Sequence, residues 1–160
     1  MFVLGIDPGL SITGYGLVEG SHPPRAHRAG VIRTSTELST PQRLAELHRG
    51  LTQVIDETTP EVVALETIFT NRNLQTAISV GRASGVALLV AAEAGLPVFE
   101  YVPTAIKSAV TGDGSANKDQ VQQMVTRLLH LQDPPKPADA ADALAIALCH
   151  LRAAPLEAHR

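Results

Sequence analysis

The chain opens on Val3-Leu4-Gly5-Ile6-Asp7-Pro8-Gly9, and this stretch restricts the fold more than any other. Val3, Leu4 and Ile6 form a short apolar run of strand character, which Pro8-Gly9 breaks at once. Asp7 therefore takes the last extended position, and the proline after it biases it further toward β geometry. Ser11 to Val18 reads as a turn into a second strand, so an acid sits near the centre of a hairpin. An ionised carboxylate in apolar surroundings is costly unless something pairs with it. Asp7 is either a turn residue accepting hydrogen bonds from its own loop or one member of a charged site. The rest of the chain decides between them.

Residues 21–26 form a polar, Pro-containing connection, and 28–36 read as a third strand around Val31-Ile32. Thr40-Pro41 opens a helix, with Thr as the cap and Pro at the first helical position. Its apolar stripe is Leu44, Leu47, Leu51, Val54 and Ile55, and it ends before Pro60. A short strand over 61–66 has a continuous apolar middle, suited to a sheet covered on both faces. A polar loop (67–73), a long helix (74–95) and a last strand (97–102) follow. After them come a short helix (103–110), a Gly-rich loop (111–117) and an amphipathic helix (118–132). Pro134-Pro135-Lys136-Pro137 breaks the chain before a closing helix from Ala138 to about Arg152. Tight connections make the first three strands antiparallel, and helical crossovers make the last two parallel to the first. The expectation is a single α/β domain over 1–153, built on a five-stranded mixed sheet, with a frayed tail at 154–160.

A net charge of −3 with only 13 Lys and Arg does not advertise a polyanion partner. A nucleic-acid protein of this composition must concentrate its cations on one face or neutralise its acids with bound cations. Cys149 is the only cysteine, which excludes an intramolecular disulfide and a Cys-based zinc site. It lies in an apolar helical run and reads as a small core residue. The apolar run Gly85 to Ala92 is too short to span a bilayer, and no signal segment precedes the first strand. A soluble, cytoplasmic protein with no membrane partner is expected.

The acids then converge. Asp7 ends the first strand, and Glu66 ends the strand expected beside it after the first crossover. Asp139 and Asp142 lie three apart in the first turn of the last helix, on one face. Acids there are also favoured by the helix dipole and by capping, so either alone has an ordinary explanation. Small Ala138, Ala140, Ala141 and Ala143 allow that helix close to the sheet. Several carboxylates in one small volume repel unless cations hold them, and hard divalent ions prefer oxygen ligands. Two such ions about 4 Å apart are the arrangement that hydrolyses phosphodiesters by in-line attack. The six His, at 22, 27, 48, 130, 150 and 159, are too scattered to offer a competing site.

Gly5-Ile6-Asp7-Pro8-Gly9 with Gly14-Tyr15-Gly16, Leu65 to Phe69, Pro97 to Tyr101, and Ala138-Asp139-Ala140-Ala141-Asp142-Ala143-Leu144-Ala145 together resemble the RuvC family of bacterial Holliday-junction resolvases. The resemblance covers nearly the whole chain. It implies a ribonuclease-H-like fold, a homodimer, and paired nicking of four-way DNA junctions dependent on Mg²⁺ or Mn²⁺, two ions per active site. The family's acidic quartet falls on Asp7, Glu66, Asp139 and Asp142, as metal ligands and catalytic groups, and its two functional lysines fall on Lys107 and Lys118. The family works beside the RuvA–RuvB branch-migration complex. There is one departure: where the family pattern reads GQARG, this helix reads Gly81-Arg82-Ala83-Ser84-Gly85, so the basic residue lies on a different face. Asp113, in the Gly-rich loop before Lys118, is an awkward charge beside phosphates.

Aromatics are 3% of the chain, and Phe2, Tyr15, Phe99 and Tyr101 all fall on predicted strands. Phe69 alone is on a loop, just after Glu66, where it can stack on an unpaired base, wedge into an opened junction, or fold back on the core. Arg72, Arg82, Lys107 and Lys118 are candidates for DNA phosphates. Lys118 has the best case, because it opens a helix where the dipole disfavours a cation. Ala77, Gly81, Ser84, Gly85 and Ala92 make the long helix a candidate for close packing, on its own sheet or on a two-fold partner. Rival readings are a related YqgF-like nuclease acting on RNA, a non-catalytic junction-binding scaffold, and an actin-like kinase or ATPase. The last needs a second phosphate loop and a second domain.

Overall fold

Side chains alternate across β1 (Phe2–Asp7), sending Val3 into one apolar cluster and Leu4 and Ile6 into another, all fully buried. A strand buried on both faces must lie at the middle of a sheet with helices on either side. The computed structural model, which describes residues 1–67 and 73–154, has that arrangement. β2 (Ile12–Glu19) pairs antiparallel with β1, and β3 (Arg25–Arg33) pairs antiparallel with β2. α1 (Thr40–Thr58) crosses over to β4 (Val62–Glu66), which runs parallel to β1. α2 (Leu74–Glu93) crosses over to β5 (Val98–Tyr101), parallel to β4, so the sheet order is β3-β2-β1-β4-β5. α3 (Pro103–Thr111), α4 (Lys118–Leu128) and α5 (Ala138–Ala153) complete the domain. The expected α/β fold and mixed sheet are therefore present.

The core has two halves. Leu47, Leu51, Val54 and Ile55 of α1 join Ala83, Ala87, Val90 and Ala91 of α2 on one face. On the other, α5 lies between the sheet and the α3–α4 pair and is buried almost throughout. Cys149 sits inside α5 as a buried core residue, its thiol pushed up to about 11 by burial.

Two glycines let α5 approach the sheet. A Cβ on Gly5 would lie 2.0 Å from the Ala143 carbonyl oxygen, and one on Gly14 would lie 2.0 Å from that of Asp139. Neither position has room for a side chain, because each meets backbone. The alanines of α5 supply the other half of this close contact.

Several boundaries differ from the sequence reading. β3 begins at Arg25 rather than Arg28 and ends at Arg33, because its pairing with β2 extends to Glu19 opposite Arg25, with an irregularity at Leu17/Val18. The cap of α1 is Ser39, not Thr40: its side chain takes the Gln42 amide while Gln42 reaches back to the cap, a reciprocal pair that Thr40 cannot make. α4 stops at Leu128, four residues early. α2 as a whole is long and apolar enough to cross a membrane, more than the Gly85–Ala92 run implied. Here its Ala83, Ser84, Ala87, Val90 and Ala91 are buried within the domain.

Candidate active site

β1 and β4 run parallel, so Asp7 and Glu66 emerge at the same edge of the sheet. The first turn of α5 is carried over that edge by the contact between Gly14 and the Asp139 carbonyl. One carboxylate oxygen from each of Asp7, Asp139 and Asp142 falls within 4.8 Å of the others. Glu66 and both expected lysines, Lys107 of α3 and Lys118 of α4, line the same cleft of about 530 Å³. Six of the residues singled out in the sequence thus meet in one place.

The electrostatics follow from the crowding. Burial, then the charges of Glu66, Asp142 and Asp139, push Asp7 from 3.8 up to about 7, with Lys118 opposing. Burial also raises Asp142, against the pull of Lys118. The Lys118 ammonium lies 3.3 Å from Asp142 Oδ2, and that carboxylate, more than any other group, holds its pKa above the usual lysine value. An all-oxygen donor set with a surplus of negative charge fits a hard divalent cation such as Mg²⁺ or Mn²⁺. The buried Thr67 hydroxyl, also lining the cleft, has no hydrogen-bond partner among the described residues.

The turn after Asp7 is held by other side chains, not by Asp7. The Thr13 hydroxyl donates to the Gly9 carbonyl at 2.7 Å, and the Gly9 amide donates back at 3.2 Å. Thr34, at the end of β3, donates to the Leu10 carbonyl at 2.6 Å. Arg43 of α1 donates through Nε to the Thr34 hydroxyl and through Nη2 to the Ser11 hydroxyl, both at 2.9 Å. No hydrogen bond from this turn reaches the Asp7 carboxylate among the described residues. Of its two readings, the charged site therefore stands.

The other candidates divide. Phe69 and Arg72 lie outside the described residues. Arg82 is exposed on α2, away from the Thr76, Ala77 and Val80 face that lines the cleft, whereas Ser84 is buried. Arg82 is therefore not brought to the acids. Asp113 is no intruder on a phosphate: its carboxylate takes the Ser115 amide at 2.8 Å and hydroxyl at 2.7 Å, shaping its own loop. Those bonds lower its pKa. The sequence reading missed Thr67, for which position after Glu66 was the only signal. It also missed the turn clamp of Thr34 and Arg43, whose hydroxyl and guanidinium partners come from separate elements.

The profile described as crossover junction endodeoxyribonuclease RuvC matches residues 3–150. A protein of that name from Streptomyces griseus is 50% identical over 159 residues, covering 98% of this chain and 78% of the relative. One from Desulfitobacterium hafniense is 51% identical over 155 residues, covering 94% of this chain and 92% of the relative. Among solved structures, T. thermophilus RuvC in complex with a Holliday-junction substrate superposes with a TM-score of 0.89. It is 40% identical, over 95% of this chain and 93% of that one. On the ribonuclease-H-like sheet, the converging acids and these matches, the chain belongs to the RuvC family of crossover junction endodeoxyribonucleases.

Proposed function

We propose that this protein is a divalent-metal-dependent endonuclease that resolves four-way DNA junctions in recombination and repair. The observation that carries the reading is the convergence of Asp7, Asp139 and Asp142 oxygens within 4.8 Å, in a cleft shared with Glu66, Lys107 and Lys118. A scaffold that only bound junctions would gain nothing from crowding acids where phosphate must approach. The junction seated on T. thermophilus RuvC supports the choice of substrate.

Asp7, Glu66, Asp139 and Asp142 would hold the cations. When bound, two such ions supply an activated water for in-line attack on phosphorus and stabilise the leaving 3′ oxygen, giving 5′-phosphate ends. Asp7, with a pKa near 7, gives up any proton at its carboxylate when a cation enters. Lys118 exchanges Asp142 for a phosphate oxygen, and Lys107, which lines the same cleft, approaches the same phosphate. Phe69, three residues after Glu66 in the sequence, is assigned to unpaired bases at the crossover.

A four-way junction presents two equivalent strands, which suits a two-fold dimer. Leu74, Ile78 and Leu89 of α2 are 73%, 45% and 50% exposed, and Gly85, with open space around it, shares their stripe. We assign this face to the second protomer. The whole of 1–153 acts as one nuclease domain, in the cytoplasm beside the RuvA–RuvB complex.

The test is cleavage of a four-way junction, a linear duplex and an RNA–DNA hybrid, each with and without Mg²⁺ or Mn²⁺. Paired nicks confined to the junction and dependent on metal are expected. Preference for the hybrid would favour the RNA-processing nuclease instead.

A further inference from the structure

We propose that Arg33, at the end of β3, forms a phosphate-binding site outside the catalytic cleft. It would hold the DNA backbone a few nucleotides from the bond that is cut. The inference rests on the nucleic-acid substrate proposed above.

The register of the sheet places the site. Arg33 is the last residue of β3 and pairs with Ile12, the first residue of β2, which lines the catalytic cleft. Directly opposed residues on antiparallel strands project to the same face. Arg33 therefore lies on the face that carries Gly14 and the first turn of α5. β3 is two strands from β1, roughly 10 Å at the usual strand spacing. Phosphates follow one another by about 3.4 Å of helix axis along each strand. Arg33 also lies two residues beyond the register of Asp7, so a strand with its scissile phosphate at Asp7 brings another phosphate to the end of β3 about three to four nucleotides away.

Along β3 the cations between its two ends are engaged, Arg25 and Arg33 at the ends are not among the described residues, and of those two only Arg33 lies at the cleft end of the strand. Further down the strand, Arg28 is paired with Glu57, and His27 lies 2.8 Å from Glu19. Arg33 is exposed and has no hydrogen bond or ion pair among the described residues. Arg43, behind the turn, spends Nε and Nη2 on the neutral hydroxyls of Thr34 and Ser11 and has no carboxylate within ion-pair distance among the described residues. The nearby Glu46 carboxylate instead accepts the Ser35 amide at 3.2 Å. Arg33 at the strand end and Arg43 on the turn are thus both without counter-charges among the described residues. In a chain of net charge −3, uncompensated cations beside the cleft are what a polyanion needs to approach four acids.

The test compares Arg33→Gln, Arg33→Lys and Arg25→Gln with wild type, by fluorescence anisotropy on a labelled four-way junction in EDTA across a range of salt. Arg25 lies at the far end of the same strand, opposite Glu19, and controls for loss of one positive charge. Arg33→Gln should lower the slope of log K against log salt by about 1, with a roughly threefold or greater loss of affinity near 0.15 M salt. Arg33→Lys should keep the slope, Arg25→Gln should match wild type, and all melting temperatures should stay unchanged. A wild-type slope for Arg33→Gln overturns the site, as does an equal fall for Arg25→Gln, which would reduce the effect to net charge. A wild-type protein that binds no junction fails the substrate reading itself, and this site with it.

Discussion

Gly14 of β2 and Asp139 of α5 touch through their backbones, leaving 2.0 Å between the Asp139 carbonyl oxygen and any Cβ that position 14 could carry. The helix that brings two of the acids rests on a residue without a side chain. Gly14→Ala should cost about 1–3 kcal/mol, as overpacking does, and push Asp139 out of the cluster. Its melting point should fall, and the further rise that Mg²⁺ or Mn²⁺ gives wild type should shrink. Gly85→Ala, on an open helix face, should instead leave the fold unharmed or stabilise it by up to about 1 kcal/mol.

The acid cluster makes the metal-free protein pH-dependent in an unusual direction. Asp7 is raised from 3.8 to about 7, so between these values the folded state keeps a proton that the unfolded chain has lost. Stability should therefore fall as pH rises from about 4 to 7. At about 1.4 kcal/mol per pH unit, the loss is at most about 4 kcal/mol. Asp142, also raised, adds in the same sense. Melting curves in EDTA should show the decline, added Mg²⁺ should reverse it near neutrality, and Asp7→Asn should flatten it.

Asp7→Asn also separates cutting from binding. It removes one of the three converging carboxylates, so cleavage should drop by orders of magnitude at any Mg²⁺ or Mn²⁺ concentration. Junction affinity should hold or improve, since one charge repelling phosphate is gone. Near wild-type cleavage by this variant would remove Asp7 from the metal site.

On α2, Leu89→Glu places a charge in the exposed apolar stripe. Sedimentation should show a dimeric wild type and a monomeric variant, with the variant's fold stability within about 0.5 kcal/mol, as for a surface change. Paired nicking should decay into single nicks. A variant that remains dimeric would move the interface elsewhere.

Phe69→Ala tests the stretch of sequence after Glu66. A wedge residue should leave the melting point unchanged and slow cleavage of a fully paired junction, while a junction mismatched at the crossover recovers much of the rate. A large loss of stability, about 3–5 kcal/mol for a truncated core Phe, with equal defects on both substrates, would make it structural.

The acids were legible because each has a local signature that survives without coordinates. Pro8-Gly9 fixes Asp7 at a strand end, and the three-residue spacing of Asp139 and Asp142 fixes them to one helix face. The place of β4 beside β1 was legible because a crossover helix leaves it few places to go. What stayed hidden depends on contacts between distant segments. Ser39 wins the α1 cap from Thr40 only through Gln42. Arg25 joins β3 only because Glu19 lies across from it. Arg43 reaches the turn at Ser11 and Thr34 from a helix whose own periodicity gives no hint of it. Arg82 could be placed on a helix, but its distance from the cleft is set by which face of α2 meets the domain.

The order of synthesis gives the close packing of α5 a further meaning. β1 and β2 leave the ribosome before α5, yet Gly5, Gly14 and the acid at Asp7 belong to a surface that only α5 completes. Until that helix docks, the apolar strands at the middle of the sheet lack their cover on one side, and Asp7 has neither Asp139 nor Asp142 beside it. The nascent chain therefore cannot assemble the three-carboxylate cluster early. The acid cluster is completed with α5, in the same step that covers this face of the sheet.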